Sequence, residues 1–124
     1  MVSRDVAREI VNTYGKAWVQ MDPELVITIF HEDGEYGEYL LKCSHKGHQA
    51  IKEHWQKKVV NEQSKIKFEL LNLFVDGDTF IAEWDAVFFS NVENKTIHLV
   101  QVGIFDVVGD KVKRLREYWH SQRL

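Results

Sequence analysis

The sequence holds one cysteine, Cys43, and one proline, Pro23. A lone cysteine makes no internal disulfide, so the fold is expected to stand on its core, in a reducing compartment such as the cytoplasm. No apolar run approaches the roughly 20 residues that a membrane helix needs. Met1 to Glu9 carry charge and lack the apolar core of a signal peptide. No basic run stands out at a net charge of −3, which removes nucleic acid as the default partner. There is no phosphate-binding glycine loop, no dinucleotide fingerprint and no nucleophile elbow. The six histidines form no zinc pattern, and His45 and His48 straddle Gly47. Neither metal nor cofactor is therefore expected. Repeats, low-complexity stretches and linkers are missing as well, and residues 1–124 are expected to form a single domain.

What is present begins with apolar residues at 44% and charged residues at 28%, enough for one real core. Four tryptophans, four tyrosines and seven phenylalanines are many for 124 residues. Large aromatics fill cores, and they also line concave pockets for small molecules.

Ser3 or Asp5 is placed to cap a first helix, along which Val6, Ile10, Val11, Tyr14, Trp18 and Met21 recur at helical spacing. Asp22-Pro23 predicts the start of a second helix, closed by His31-Glu32-Asp33-Gly34 with the glycine as stop. Glu35 to Leu41 is a short candidate strand, and Lys46-Gly47 a loop. Ala50, Ile51, His54, Trp55 and Val59 mark a third helix. From Ser64 the period becomes alternating, and strands are expected from about Ile66, over 79–90, over 96–108 and over 112–120. Helices first and hairpin-linked strands after predict an α+β fold, an antiparallel sheet bent around three helices with a hollow between them.

Candidate chemistry sits on few residues. In strand 79–90 one parity is Phe80, Ala82, Trp84, Ala86 and Phe88, and the other includes Glu83 and Asp85. Spacing alone puts the apolar set in the core and the two acids in water. In the last strand Glu117 and Trp119 share one face and Tyr118 and His120 the other, and either face fits pocket or surface. Tyr14 is core packing or a hydrogen-bond donor to an oxyanion. Glu38, between Tyr36 and Tyr39, is an exposed carboxylate or a base raised by apolar surroundings.

The order Val11-x-x-Tyr14-x-x-Ala17-Trp18, Asp22-Pro23-Glu24 and Phe30-His31-Glu32-Asp33 resembles the start of a SnoaL-like domain, of the nuclear transport factor 2-like (cystatin-like) superfamily. His45 to Ile51 resembles that family's third helix. Val102-Gly103-Ile104-Phe105, the Gly109–Val112 hairpin and Arg116-Glu117-Tyr118-Trp119 resemble its last strands. The resemblance implies a cone-shaped fold. By likeness to ketosteroid isomerases, Tyr14 is an oxyanion donor and Glu38 takes the base position, while the second donor falls near Gly103, which has no side chain to donate. By likeness to limonene epoxide hydrolases, Tyr36 and Glu38 position water, Asp85 donates a proton and Glu117 activates water, with Glu83 where that branch has arginine. By likeness to polyketide cyclases, an acidic residue works in an apolar pocket.

The resemblance also reverses the parity expectation. It turns Glu83, Asp85, Gln101 and Glu117 into the hollow and leaves Trp84 on an outer face that a second subunit would cover. Four acids, Glu38, Glu83, Asp85 and Glu117, would then share one cavity, and at least one would titrate high. The resulting expectation is acid/base chemistry on a small apolar molecule: isomerisation, cyclisation, dehydration or epoxide hydration. Glu38, Asp85, Glu117 and Tyr14 are the catalytic candidates, and Tyr36, Trp18, Trp55, Glu83, Gln101 and Trp119 the substrate-binding ones. The alternative is a non-catalytic ligand-binding or dimerising module. A homodimer is expected, with no nucleic-acid or membrane partner.

Overall fold

The computed structural model describes every residue except Leu40 and Lys42, with Tyr39 and Cys43 described by their backbone alone. Helix α1 (Arg4–Val19) begins where the Ser3 hydroxyl accepts from the Val6 amide, at 3.1 Å. Its buried stripe of Ala7, Ile10, Val11, Tyr14, Ala17 and Trp18 follows the helical period. Gly15 lies in that stripe because a Cβ there would meet the Phe68 ring at 2.4 Å. Helix α2 (Pro23–Val26) starts on Asp22, whose carboxylate accepts from the Leu25 amide.

α2 does not run on to Gly34. A 3₁₀ turn at Ile27–Ile29 ends it, Phe30 takes extended angles, and His31-Glu32-Asp33-Gly34 lie inside strand β1 (Phe30–Tyr39). Gly34 serves close approach instead of helix termination: a Cβ there would stand 2.8 Å from the Val112 carbonyl oxygen. The expected short strand is thus longer at its start, and Leu40 falls outside the described residues. The expected loop at Lys46 is the end of strand β2 (Cys43–Lys46). Gly47, at φ +87°, then opens helix α3 (His48–Trp55), which passes into a π turn at Gln56–Val60.

The remaining strands are β3 (Gln63–Asp76), β4 (Thr79–Ser90), β5 (Lys95–Val108) and β6 (Lys111–Arg123). The sheet order is β2-β1-β6-β5-β4-β3, curved and not closed. Hairpins make β3 to β6 antiparallel. β1 joins β6 in parallel, so the sheet is mixed and not wholly antiparallel as expected. No hairpin ties β1 to β6, and so nothing local imposes an antiparallel pairing.

The parity of β4 also departs from the expectation drawn from resemblance. Phe80, Ala82, Trp84, Ala86 and Phe88 all face the interior, and Trp84 is fully buried. Its indole packs on Tyr14 and Phe68 and donates from Nε1 to Gln101 Oε1 at 2.8 Å. Glu83 and Asp85 lie on the other face, where Glu83 accepts from Asn72 at 2.7 Å and Asp85 meets His98 Nε2 at 2.6 Å. Burying a large apolar side chain is worth roughly 3 kcal/mol. Drying an unpaired carboxylate costs on the order of several kcal/mol. The alternation therefore settles as simple amphipathicity dictates, and Trp84 is not left for a second subunit to cover.

Candidate active site

Between the helices and the concave side of β4, β5 and β6 lies a cavity of about 330 Å³. Strand alternation on β6 turns Leu115, Glu117 and Trp119 to this side, and Glu117 sits at its inner end, 2% exposed. Two phenols converge on the Glu117 carboxyl. Tyr14 from α1 reaches Oε2 at 2.5 Å, and Tyr36 from β1 reaches Oε1 at 2.9 Å. The phenol oxygens stand 3.3 Å apart, and Tyr36 also reaches Glu38 Oε1 at 3.4 Å.

Burial is the largest influence on Glu117 and the nearby Glu38 charge the next, and together they raise its carboxyl to about 8 despite the two phenols. Burial and then Glu117 also push the Tyr14 and Tyr36 hydroxyls well above their ordinary range, so both remain O–H donors. The single Tyr36 hydroxyl hydrogen faces Glu117 Oε1 at 2.9 Å and Glu38 Oε1 at 3.4 Å, so this phenol links the two carboxyls. A neutral acid, a phenol and a second carboxylate then form one short proton path.

Glu38, on β1, is half-buried at the cavity wall. His54 from α3 lies beside it, with Nε2 2.6 Å from Glu38 Oε1. The His54 ring stacks on His45 of β2 at 3.9 Å and leans on Tyr36. His45 is shifted below the usual histidine range, first by burial and then by His54. The apolar part of the cavity wall is Trp18, Trp55, Phe88, Ile97, Leu99 and Trp119, and Gln63, Ser90, Gln101 and Ser121 add polar groups to it. Trp18 donates from Nε1 to Gln63 at 2.7 Å, while the buried Trp55 Nε1 has no hydrogen-bond partner among the described residues. At the mouth, Lys58 stands 3.6 Å from Glu62, and Arg123 meets Glu93 through two contacts of 3.0 Å.

Of the residues expected at a site, Tyr14, Tyr36, Glu38, Glu117, Trp18, Trp55, Gln101 and Trp119 line this cavity. Glu83 and Asp85 do not, so the expected group of four acids is a pair, Glu38 and Glu117. Gly103 lies against Trp84, and a Cβ there would stand 2.7 Å from that ring. The position that lacks a second oxyanion donor is therefore filled by indole. Sequence reasoning missed His54. Its place beside Ile51 and Trp55 on the α3 stripe read as core, and pairing with Glu38 across 16 residues leaves no local signal. Among the described residues no group of three histidines, cysteines or acids is arranged to hold a metal ion.

A curved, unclosed sheet with helices on its concave side and a cavity between them is an α+β fold of the nuclear transport factor 2 type. The chain belongs to the SnoaL-like domain family, whose model matches residues 11–115. No curated protein matches it. Among solved structures it is similar to the epoxide hydrolase/cyclase-like enzyme SalBIII of pyran ring formation in the polyether salinomycin. That match has 18% identity and a TM-score of 0.83, and covers 100% of each chain. It is also similar to an LEH-like epoxide hydrolase of M. tuberculosis, at 14% identity and a TM-score of 0.76, over 94% of this chain and 84% of that one. A third match is a hypothetical protein of ketosteroid isomerase-like fold from Catenulispora acidiphila, in complex with trimethylamine. It has 17% identity and a TM-score of 0.79, over 89% of this chain and 84% of that one. At such identities the likeness is one of fold. No described helix is long and apolar enough to cross a membrane.

Proposed function

We propose that the protein is a cofactor-independent acid/base enzyme acting on a small, largely apolar molecule that carries an oxygen to be protonated, such as an epoxide, a carbonyl or a hydroxyl. One observation carries this reading: a buried Glu117 carboxyl, raised to about 8 and flanked by two phenols, at the inner end of a cavity walled in part by indole and aliphatic side chains. Glu117 donates its proton to the substrate oxygen as the C–O bond breaks or the carbonyl enolises. Glu38 accepts a proton from the attacking water or hydroxyl, or from carbon. The Tyr36 phenol returns the proton from Glu38 to Glu117 and closes the cycle. Tyr14 holds the Glu117 carboxyl in place. The epoxide hydrolase and cyclase among the similar structures favour epoxide opening as the first reaction to try.

The test is turnover of a panel of small epoxides and enolisable ketones. Replacing Glu117 by Gln should lower the rate by about 10²-fold or more, the usual worth of a positioned acid. Equal turnover in that variant would remove the role. A second reading is non-catalytic binding of a small organic cation. It is favoured by carboxyls outnumbering cations along the cavity, by indole walls and by the trimethylamine held in one similar structure. Binding of an alkylammonium ion would then release about one proton from Glu117, which calorimetry in buffers of different ionisation heat reads directly.

We also propose a homodimer formed through the outer face of the sheet, where Phe74, Ile81 and Tyr118 remain exposed. The cytoplasm is the proposed compartment, resting on the single cysteine.

A further inference from the structure

We propose that His54 is the positioning residue of this site: its Nε2 donates to Glu38 Oε1 and holds that carboxylate against the Tyr36 phenol, one oxygen away from Glu117. The proposal rests on the acid/base reading above and says what keeps the two carboxyls in different roles.

The geometry carries it. Glu38 lies at the cavity wall with its side chain 22% exposed, and water is within its reach. A carboxylate in that position gains by turning outward unless something fixes it. His54 is better fixed than Glu38: its side chain is 9% exposed, and its ring lies between His45, stacked at 3.9 Å with planes 19° apart, and Tyr36 at 5.6 Å. The clamped imidazole therefore sets where the carboxylate stands. Beside a carboxylate, the facing ring nitrogen is the one that carries hydrogen.

Among the described residues, few groups bear on this pair. Tyr14 comes from α1, Tyr36 from β1, His45 from β2, Glu117 from β6, and the Lys58–Glu62 pair from the mouth. After burial, the charge of Glu38 is the largest cause that keeps Glu117 protonated. If His54 is lost, Glu38 swings toward water and that cause weakens. Glu117 then gives up its proton at lower pH and is no longer an acid at neutral pH.

The experiment is a carboxyl-carbon NMR titration of Glu117 in the wild-type chain and in Glu38→Gln, His54→Phe and His54→Gln. In the wild-type chain the midpoint is expected at about 8. His54→Phe should lower it by about one unit or more, in the same direction as Glu38→Gln. His54→Gln keeps an N–H donor of similar reach and should restore most of the shift. If the phenylalanine variant does not fold, His54→Asn, whose amide is too short to reach Glu38, takes its place. An unmoved midpoint in the variant without a donor would overturn the proposal, as would a glutamine variant that behaves like it. The two readings fail separately. A wild-type midpoint in the ordinary carboxyl range removes the acid and the proposed function with it. A high midpoint indifferent to His54 removes only the positioning role.

Discussion

Glu117 is the residue on which most consequences turn. Its proton is retained in the folded chain far above the pH at which an unfolded glutamate loses it. Below the unfolded value both states are protonated and nothing is lost. Between that value and about 8 the unfolded chain has released a proton that the folded one still holds, so stability falls as pH rises. The limiting slope is about 1.4 kcal/mol per pH unit for one such group. Glu117→Gln should remove this slope and leave a variant more stable than the parent at about pH 8. Urea denaturation of both chains at several pH values measures it, and a parent-minus-variant stability difference that rises over that range would refute the assignment. Tyr14→Phe should act in the opposite direction on the proton. It deletes a hydrogen bond that lowers the Glu117 carboxyl, so the NMR midpoint should rise further.

The strand β4 shows how far an element is legible before its structure is known. Its bounds, Thr79 to Ser90, follow from the Asp76-Gly77-Asp78 turn and the polar run after Ser90, because hairpin chemistry is local. Its buried face follows from the alternation of Phe80, Ala82, Trp84, Ala86 and Phe88, and likeness to relatives misleads where it contradicts that pattern. Asp85→Asn and Glu83→Gln should consequently leave catalysis within about twofold, since surface changes remote from a site rarely cost more than ~0.5 kcal/mol. A loss of turnover in either would return those acids to the mechanism. Gly103 is the companion case. Filling it with aspartate to supply the missing donor should fail, because the side chain collides with Trp84. Overpacking of this kind costs about 1–3 kcal/mol, and thermal melting of Gly103→Ala gives its lower bound. Other elements left weaker marks. Gly34 looks like a helix stop because a glycine needed for close approach to the Val112 carbonyl carries the same letter. The His54–Glu38 pairing joins α3 to β1, and no periodicity within either element foretells it.

Across the whole molecule the outer sheet face is the surface to examine. It carries the Asp85–His98 and Asn72–Glu83 contacts among exposed Phe74, Ile81 and Tyr118. Light scattering at tens of micromolar should return twice the chain mass of 14.6 kDa. Ile81→Lys should return the single-chain mass without loss of fold.

The parallel pairing of β1 with β6 has a consequence in time as well as in space. Tyr14 and Glu117 are 103 residues apart, and Tyr36 and Glu117 are 81 apart, yet all three close one inner wall. The acid therefore arrives on β6, after every other strand of the sheet, while its phenols have waited since α1 and β1. A nascent chain up to the end of β5 already holds Tyr14, Glu38 and His54 but has no buried proton to give. The pocket acquires its acid only once β6 has been made and slots between β5 and β1.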